Sequence, residues 1–293
     1  MFIATLIAAE TLGPEVVARA GGLLAGTGCD PAPAAWLDAG KAADIPFDRE
    51  PATARTALEG ALGPVDVIVQ PAAGREKRLL VADMDSTMIT VECIDELADY
   101  AGIKAQVAAV TEAAMRGELD FEGALDARVA LLAGLDEGAI DRCLAERVRI
   151  MAGAELLVRT MRARGGHCVL VSGGFTRFAE PVAARIGFDW AIANVLLAEG
   201  GRLTGRVAKP IVDAATKEAT LRVVAAERGI DPAATLAVGD GANDLPMIRA
   251  AGLGVAYRAK PIVAAAAGAR VEHGDLSALL YAQGIARAEW VGG

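Results

Sequence analysis

The chain has 293 residues, of which 54% are hydrophobic and 4% aromatic, and its formal net charge is −9. That length fits one large domain or two smaller ones, and an alanine-rich, aromatic-poor composition suits a helix-rich α/β protein better than a β-sandwich. The acidic balance argues against non-specific nucleic-acid binding, and no long uncharged apolar stretch offers a membrane span. The start, Met1-Phe2-Ile3-Ala4, lacks a basic n-region, so no signal peptide is expected. Cys29, Cys93, Cys143 and Cys168 are widely spaced and form no C-x-x-C pair. A reduced cytoplasm is the simplest setting for them.

In residues 1 to about 75, short apolar runs at Ile3–Ala8 and Val65–Val69 flank an alanine-rich helical stretch after Gly13-Pro14. Pro31, Pro33, Pro46, Pro51 and Pro64 divide this segment into short elements. The pattern predicts a small α+β domain of alternating strands and helices. Pro71-Ala72-Ala73-Gly74-Arg75 is the expected linker to a second domain over 76–293.

From Leu79 onward the pattern becomes strands followed by amphipathic helices. Strands are predicted at Arg78–Ala82, Cys168–Ser172 and Leu236–Gly239, with further candidates at Trp190–Asn194 and Gly254–Ala256. The first three are continuous apolar runs, as expected of parallel strands buried on both faces. Each ends in small or polar residues. Open parallel sheets bind ligands at the carboxyl ends of their strands, so the three ends imply one shared site. Between the first two, roughly 88–150, charged residues recur at helical spacing. This insert is long for a plain crossover and predicts a helical cap over the strand ends.

The first strand end reads Asp83-Met84-Asp85-Ser86-Thr87. Two carboxylates at the mouth of a buried strand are costly without a cation or a shared proton. Asp83 suits a nucleophile, because a carboxylate needs no activating base at pH 7. Asp85 is close enough to protonate a leaving oxygen and later deprotonate water. Thr87 suits orienting the turn. The same residue types also serve as a helix N-cap. A calcium loop lacks its glycine and its closing glutamate. Ser172-Gly173-Gly174 offers a hydroxyl and glycine amides to phosphate oxygens, or forms an ordinary strand-to-helix turn. Asp240-Gly241-Ala242-Asn243-Asp244 can hold Mg²⁺ or make an Asx-turn. It lacks the third glycine of a dinucleotide fingerprint. Lys217 opens a helical stretch and can neutralise phosphate charge, or lie solvated on the surface.

In this order, the motifs on Asp83, Ser172, Lys217 and Asp240 resemble the haloacid dehalogenase (HAD) superfamily over roughly residues 78–285. The resemblance implies a Rossmann-like parallel sheet core with a small helical cap inserted after the first core strand. Within the cap, Val91-Glu92-Cys93-Ile94-Asp95-Glu96 and Met115-Arg116-Gly117-Glu118-Leu119-Asp120-Phe121 are similar to segments of the phosphoserine phosphatase family, as is Val171-Ser172-Gly173-Gly174-Phe175. The resemblance implies that Glu92 meets a substrate ammonium and Arg128 its carboxylate. Met115 and Phe121 would close over the site or pack in the core. It also implies Mg²⁺ on the Asp83 carboxylate, the Asp85 backbone carbonyl and Asp240. Ser172, the Gly173 amide, Lys217 and Asn243 would stabilise the transferring oxygens. Asp244 would orient Lys217 or a water on the metal. Met84 stands where many members have phenylalanine.

Residues 1–75 resemble, in length and pattern, the regulatory βαββαβ (ACT-like) module fused to some of these enzymes, which carries the expectation of a homodimer. The implied activity is Mg²⁺-dependent hydrolysis of O-phospho-L-serine, a small-molecule substrate. Kept beside it are another phosphate ester, transfer to an acceptor such as homoserine, and a non-catalytic phosphate sensor.

Overall fold

The structure, a computed structural model, describes residues 1–292. The first six elements are β1 (Phe2–Ala8), α1 (Pro14–Gly26), β2 (Ala35–Asp38), β3 (Ala42–Phe47), α2 (Pro51–Leu58) and β4 (Val65–Pro71). They form a four-stranded antiparallel sheet in the order β2-β3-β1-β4. Alternation sets its two faces. Ala4 and Leu6 pack with Val17, Leu24 and Leu58 of the two helices. Ile7, Ala42 and Ile68 point the other way and join the core of the larger unit. The segment is thus more regular than its prolines suggested. Pro46 lies inside β3, beyond the last residue that pairs with β2, where no ladder bond to that strand is lost.

The expected linker is pinned rather than loose. Asp66 accepts from the amides of Glu272, His273 and Gly274 at 2.7–3.1 Å. The Arg75 guanidinium bonds both Asp44 oxygens at 2.5 and 2.6 Å and the carbonyls of Tyr281 and Ala282.

The larger unit begins with β5 (Leu79–Ala82). Four helices follow: α3 (Cys93–Tyr100), α4 (Lys104–Met115), α5 (Phe121–Ala130) and α6 (Gly138–Glu146). They fill the interval where a cap was expected. The chain enters and leaves this insert through adjacent segments that pair at Ile89 and Ile150.

Next come α7 (Ala154–Ala163), β6 (His167–Phe175), α8 (Thr176–Ile186), β7 (Trp190–Asn194), β8 (Leu196–Glu199) and β9 (Arg202–Val207). The chain continues through α9 (Ala214–Glu227), β10 (Thr235–Gly239), α10 (Leu245–Ala250), β11 (Leu253–Tyr257), α11 (Pro261–Ala266), β12 (Ala269–Val271) and α12 (Ala278–Ala282). Six strands form a parallel sheet in the order β12-β11-β10-β5-β6-β7. Both faces are covered. Leu80, Leu170 and Val238 face α7, α8 and α12, whereas Leu79, Val81, Val171 and Ala237 face α9, α10 and α11. Strands buried on both sides must be apolar throughout, which is why β5 and β10 read as unbroken runs.

Two features depart from expectation. Gly173 and Gly174 belong to the last residues of β6, not to a helix start. A register shift between Val171 and Phe175 lets the strand continue to Phe175, and α8 begins at Thr176. The antiparallel hairpin β8–β9, turning at Gly200-Gly201, was not foreseen. It lies against the cap: Asp136 pairs with Arg202, and the Lys209 ammonium meets Glu122 and Asp126 of α5.

Candidate active site

β5, β6 and β10 end side by side, because β5 is central and pairs with both neighbours. Their carboxyl ends and the cap helices α3, α4 and α5 enclose a cleft of about 630 Å³. Asp83, Asp85, Glu92, Phe121 and Arg128 line it, together with Gly173, Asp240 and Asn243. Residues far apart in the chain, from Asp83 to Lys260, therefore share one cavity.

Its floor holds a chain of charges. Asp83 is buried, and the fully buried Lys217 ammonium contacts its carboxylate. Lys217 also donates to Asp244 Oδ1 at 2.6 Å. Asp213 caps α9 by accepting from Thr216 N at 2.8 Å, and this fixes the helix start on which Lys217 rides. Asp244 Oδ2 accepts from Gly241 N at 3.0 Å, closing the turn that carries Asp240 and Asn243. A Cβ on Gly239 would lie 2.4 Å from Asp244 Cγ, so only glycine admits this turn. Thr87 donates to Asp240 Oδ1 at 3.2 Å and ties the first strand end to the third. Ser172 lies fully buried beneath the cleft, its Oγ accepting from Gly174 N at 2.9 Å.

Electrostatics follow from this packing. Burial and the neighbouring Asp244 charge hold Asp83 well above the usual carboxylate range, although Lys217 opposes them. Withdrawal from solvent, helped by the charge of Glu92, pushes Asp85 up to about 7. Burial and Asp244 push Asp240 up to about 6. Burial works against the charge on Lys217, but Asp83 and Asp244 outweigh it and hold its pKa above normal. Oxygens of Asp83, Asp240 and Asp244 all lie within 4.8 Å of one another, with Lys217 as their one ammonium partner among the described residues. Such an excess of buried negative charge fits a bound cation. Asp244, expected to orient Lys217 or a water on the metal, lies among these oxygens and bonds Lys217 directly. Both its oxygens are already engaged, so Asp83 and Asp240 are the freer donors.

The cap supplies the other wall. Arg128 is half-buried in α5, donates to the Ala124 carbonyl at 3.2 Å, and feels the charges of Asp95, Glu92 and Asp85. Phe121 follows the N-cap Asp120 and is 36% exposed, at the cleft edge rather than in the core. A Cβ on Gly173 would sit 3.2 Å from Phe121 Cζ, so the glycine lets the ring lie over the strand end. Met115 ends α4, and its side chain lies outside the described residues.

The cleft is also lined by Ser86, Asp95, Asp120 and Lys260, to which the sequence reading gave no role. Asp95 stands one helical turn beyond Glu92, a spacing that marks the shared face. Lys260 carried no such signal. Chemically, the arrangement offers a nucleophilic carboxylate, an acid–base carboxyl near neutrality, a buried ammonium and a cation-hungry acidic group. That is the equipment of phosphoryl transfer.

Residues 80–249 match the model of haloacid dehalogenase-like hydrolases. A phosphoserine phosphatase of Streptomyces coelicolor is 49% identical over 245 residues, which cover 83% of this chain and 59% of that protein. A phosphoserine phosphatase of Mycobacterium tuberculosis is 48% identical over 227 residues, covering 77% and 55%. The chain thus spans somewhat over half the length of these two relatives. The solved structure of a probable phosphoserine phosphatase from Vibrio cholerae superposes with a TM-score of 0.78 at 34% identity, covering 98% of this chain and 87% of that one.

Proposed function

The chain belongs to the haloacid dehalogenase-like hydrolase family, and from that premise we propose that it hydrolyses O-phospho-L-serine to L-serine and inorganic phosphate. The observation that carries the substrate is the presence of Glu92 and Arg128 in the same cleft as Asp83. A guanidinium forks onto a carboxylate and a glutamate accepts from an ammonium, so the two together select an amino-acid end.

In this reading an Asp83 oxygen attacks phosphorus in line and the bond from phosphorus to the serine oxygen breaks. Asp85 gives its proton to that departing oxygen. A carboxyl near 7 is well matched to this step and to the next. Water then enters, Asp85 takes its proton back from it, and the water oxygen displaces Asp83 from phosphorus, releasing phosphate. Lys217, Ser172, the Gly173 amide and Asn243 would stabilise charge on the transferring oxygens. Asp244 holds Lys217 in place. Asp83, the Asp85 carbonyl and Asp240 would hold Mg²⁺, which supplies neutralisation between an anionic nucleophile and an anionic ester. The cap walls the cleft, and Phe121 at its edge would help to exclude water from the reacting centre.

A phosphate-release screen over phosphorylated metabolites with Mg²⁺ tests the reading. O-phospho-L-serine is expected to give the highest kcat/KM. Preference for an ester without an amino-acid end, or transfer to homoserine outpacing hydrolysis, would overturn it.

A further inference from the structure

Ser86 stands in a conformation that serine rarely adopts. Its φ is +55°, in the left-handed region where glycine or asparagine is normal. The backbone there is fixed by a hydrogen bond from Ser86 N to the Val91 carbonyl at 3.2 Å. Glycine would take this turn without strain, so the hydroxyl is what serine adds. That hydroxyl donates to Glu92 Oε1 at 2.6 Å.

Glu92 is itself unusual. It occupies the N-cap position of α3, yet its side chain makes no capping bond to its own helix. The Cys93 amide is satisfied instead by Asp85 Oδ1, at 3.1 Å. Asp85 therefore serves the helix end, and this leaves the Glu92 carboxylate to be held by Ser86. One Glu92 oxygen is taken by the hydroxyl, and the residue lines the cleft beside Ser86 and Asp85.

We propose that Ser86 is a positioning residue for substrate recognition: it fixes the rotamer of Glu92 so that the carboxylate meets an ammonium in the cleft. A strained residue at a cleft is a reason to look for function, and here the hydroxyl supplies one. The same short loop then carries the nucleophile Asp83, the acid–base residue Asp85 and the tether of the group that reads the amino end. The inference rests on the reading of an amino-acid phosphate as substrate.

The test compares O-phospho-L-serine with 3-(phosphonooxy)propanoate, the same ester without its amino group. The readout is the ratio of kcat/KM for the two. In Ser86→Ala this ratio is expected to fall about five- to tenfold, less than the loss of a full charge-assisted hydrogen bond because Glu92 itself remains. Ser86→Gly, which removes the hydroxyl and relieves the backbone, should give the same fall and guards against a folding defect. In a Glu92→Ala background neither change should lower the ratio further. Equal losses on both substrates, or a full additional fall in that background, would overturn the role of Ser86. A wild-type protein with no preference for the amino-bearing ester would overturn the substrate reading, and this inference with it.

Discussion

Replacing Lys217 by methionine keeps much of the side-chain volume and removes the one ammonium of the site floor among the described residues. Lys217 is completely buried and touches both Asp83 and Asp244. Its loss leaves carboxylates within 4.8 Å of one another with no buried counter-charge. Breaking a buried ion pair in this way costs about 3–5 kcal/mol. In a chain of this size each kcal/mol moves Tm by about 2–4 °C, so Tm should fall by roughly 6–20 °C. The loss should be smaller at pH 5 than at pH 8, because protonation relieves the uncompensated carboxylates. Adding Asp244→Asn should recover part of the stability by removing one of the two stranded charges. Phosphate release should drop about 10²–10³-fold in both variants, since the charge on the transferring oxygens loses its partner. Scanning calorimetry in EDTA separates the stability effect from any bound cation. A Lys217→Met protein melting within 2 °C of wild type (a cut well below the ~6 °C lower bound) would show that the pair contributes nothing.

The remaining predictions concern selectivity, pH and the docked N-terminal sheet. Arg128→Ala should lower kcat/KM for O-phospho-L-serine about 10–100-fold more than for 4-nitrophenyl phosphate, and parallel losses would remove Arg128 from carboxylate recognition. Asp85, near 7 in the folded protein, and Asp240, near 6, bind protons more tightly than in the unfolded chain. Their stabilising contribution is therefore complete below about pH 4 and is lost as pH rises through about 6 to 7. Metal-free protein should thus show a stability slope falling with pH over that window, and Asp85→Asn should flatten it. An unchanged slope in calorimetric scans would contradict the assignment. Asp66→Ala strands the three amides of Glu272, His273 and Gly274, and should cost about 3 kcal/mol in urea unfolding. A cost below about 1 kcal/mol would mean the sheet is not locked to the larger unit by this carboxylate.

The parallel core was legible because its strands are buried on both faces, so Leu79–Ala82 and Leu236–Gly239 had to be apolar runs ending in polar turns. The hairpin β8–β9 was not, since β8 is largely exposed and the alternation in β9 is carried by only two buried residues, Leu203 and Val207. Its one signal was Gly200-Gly201, both at positive φ. Bonds to the rest of the chain were invisible as well. Nothing in the spacing of Asp66, Arg75 or Tyr281 shows that residues more than 200 positions apart meet.

At the site, residue type alone left Asp83, Asp85 and Asp240 open to a helix cap or an Asx-turn, and it is their order along the chain with Ser172 and Lys217 that marks them as candidates. By residue type alone Lys217 reads as a surface lysine, and its burial between two aspartates is what the structure adds. Ser86 carries no mark in the sequence, because its two distinguishing facts, a left-handed backbone and a tether to Glu92, are conformational.

Covalent phosphorylation of Asp83 is the most direct test. Protein mixed with O-[³²P]phospho-L-serine and Mg²⁺, quenched in acid within a turnover and digested, should carry label on the peptide that contains Asp83. Asp83→Asn protein should carry none and release no phosphate. Steady hydrolysis of O-phospho-L-serine by folded Asp83→Asn protein, or label on another residue, would contradict Asp83 as the nucleophile.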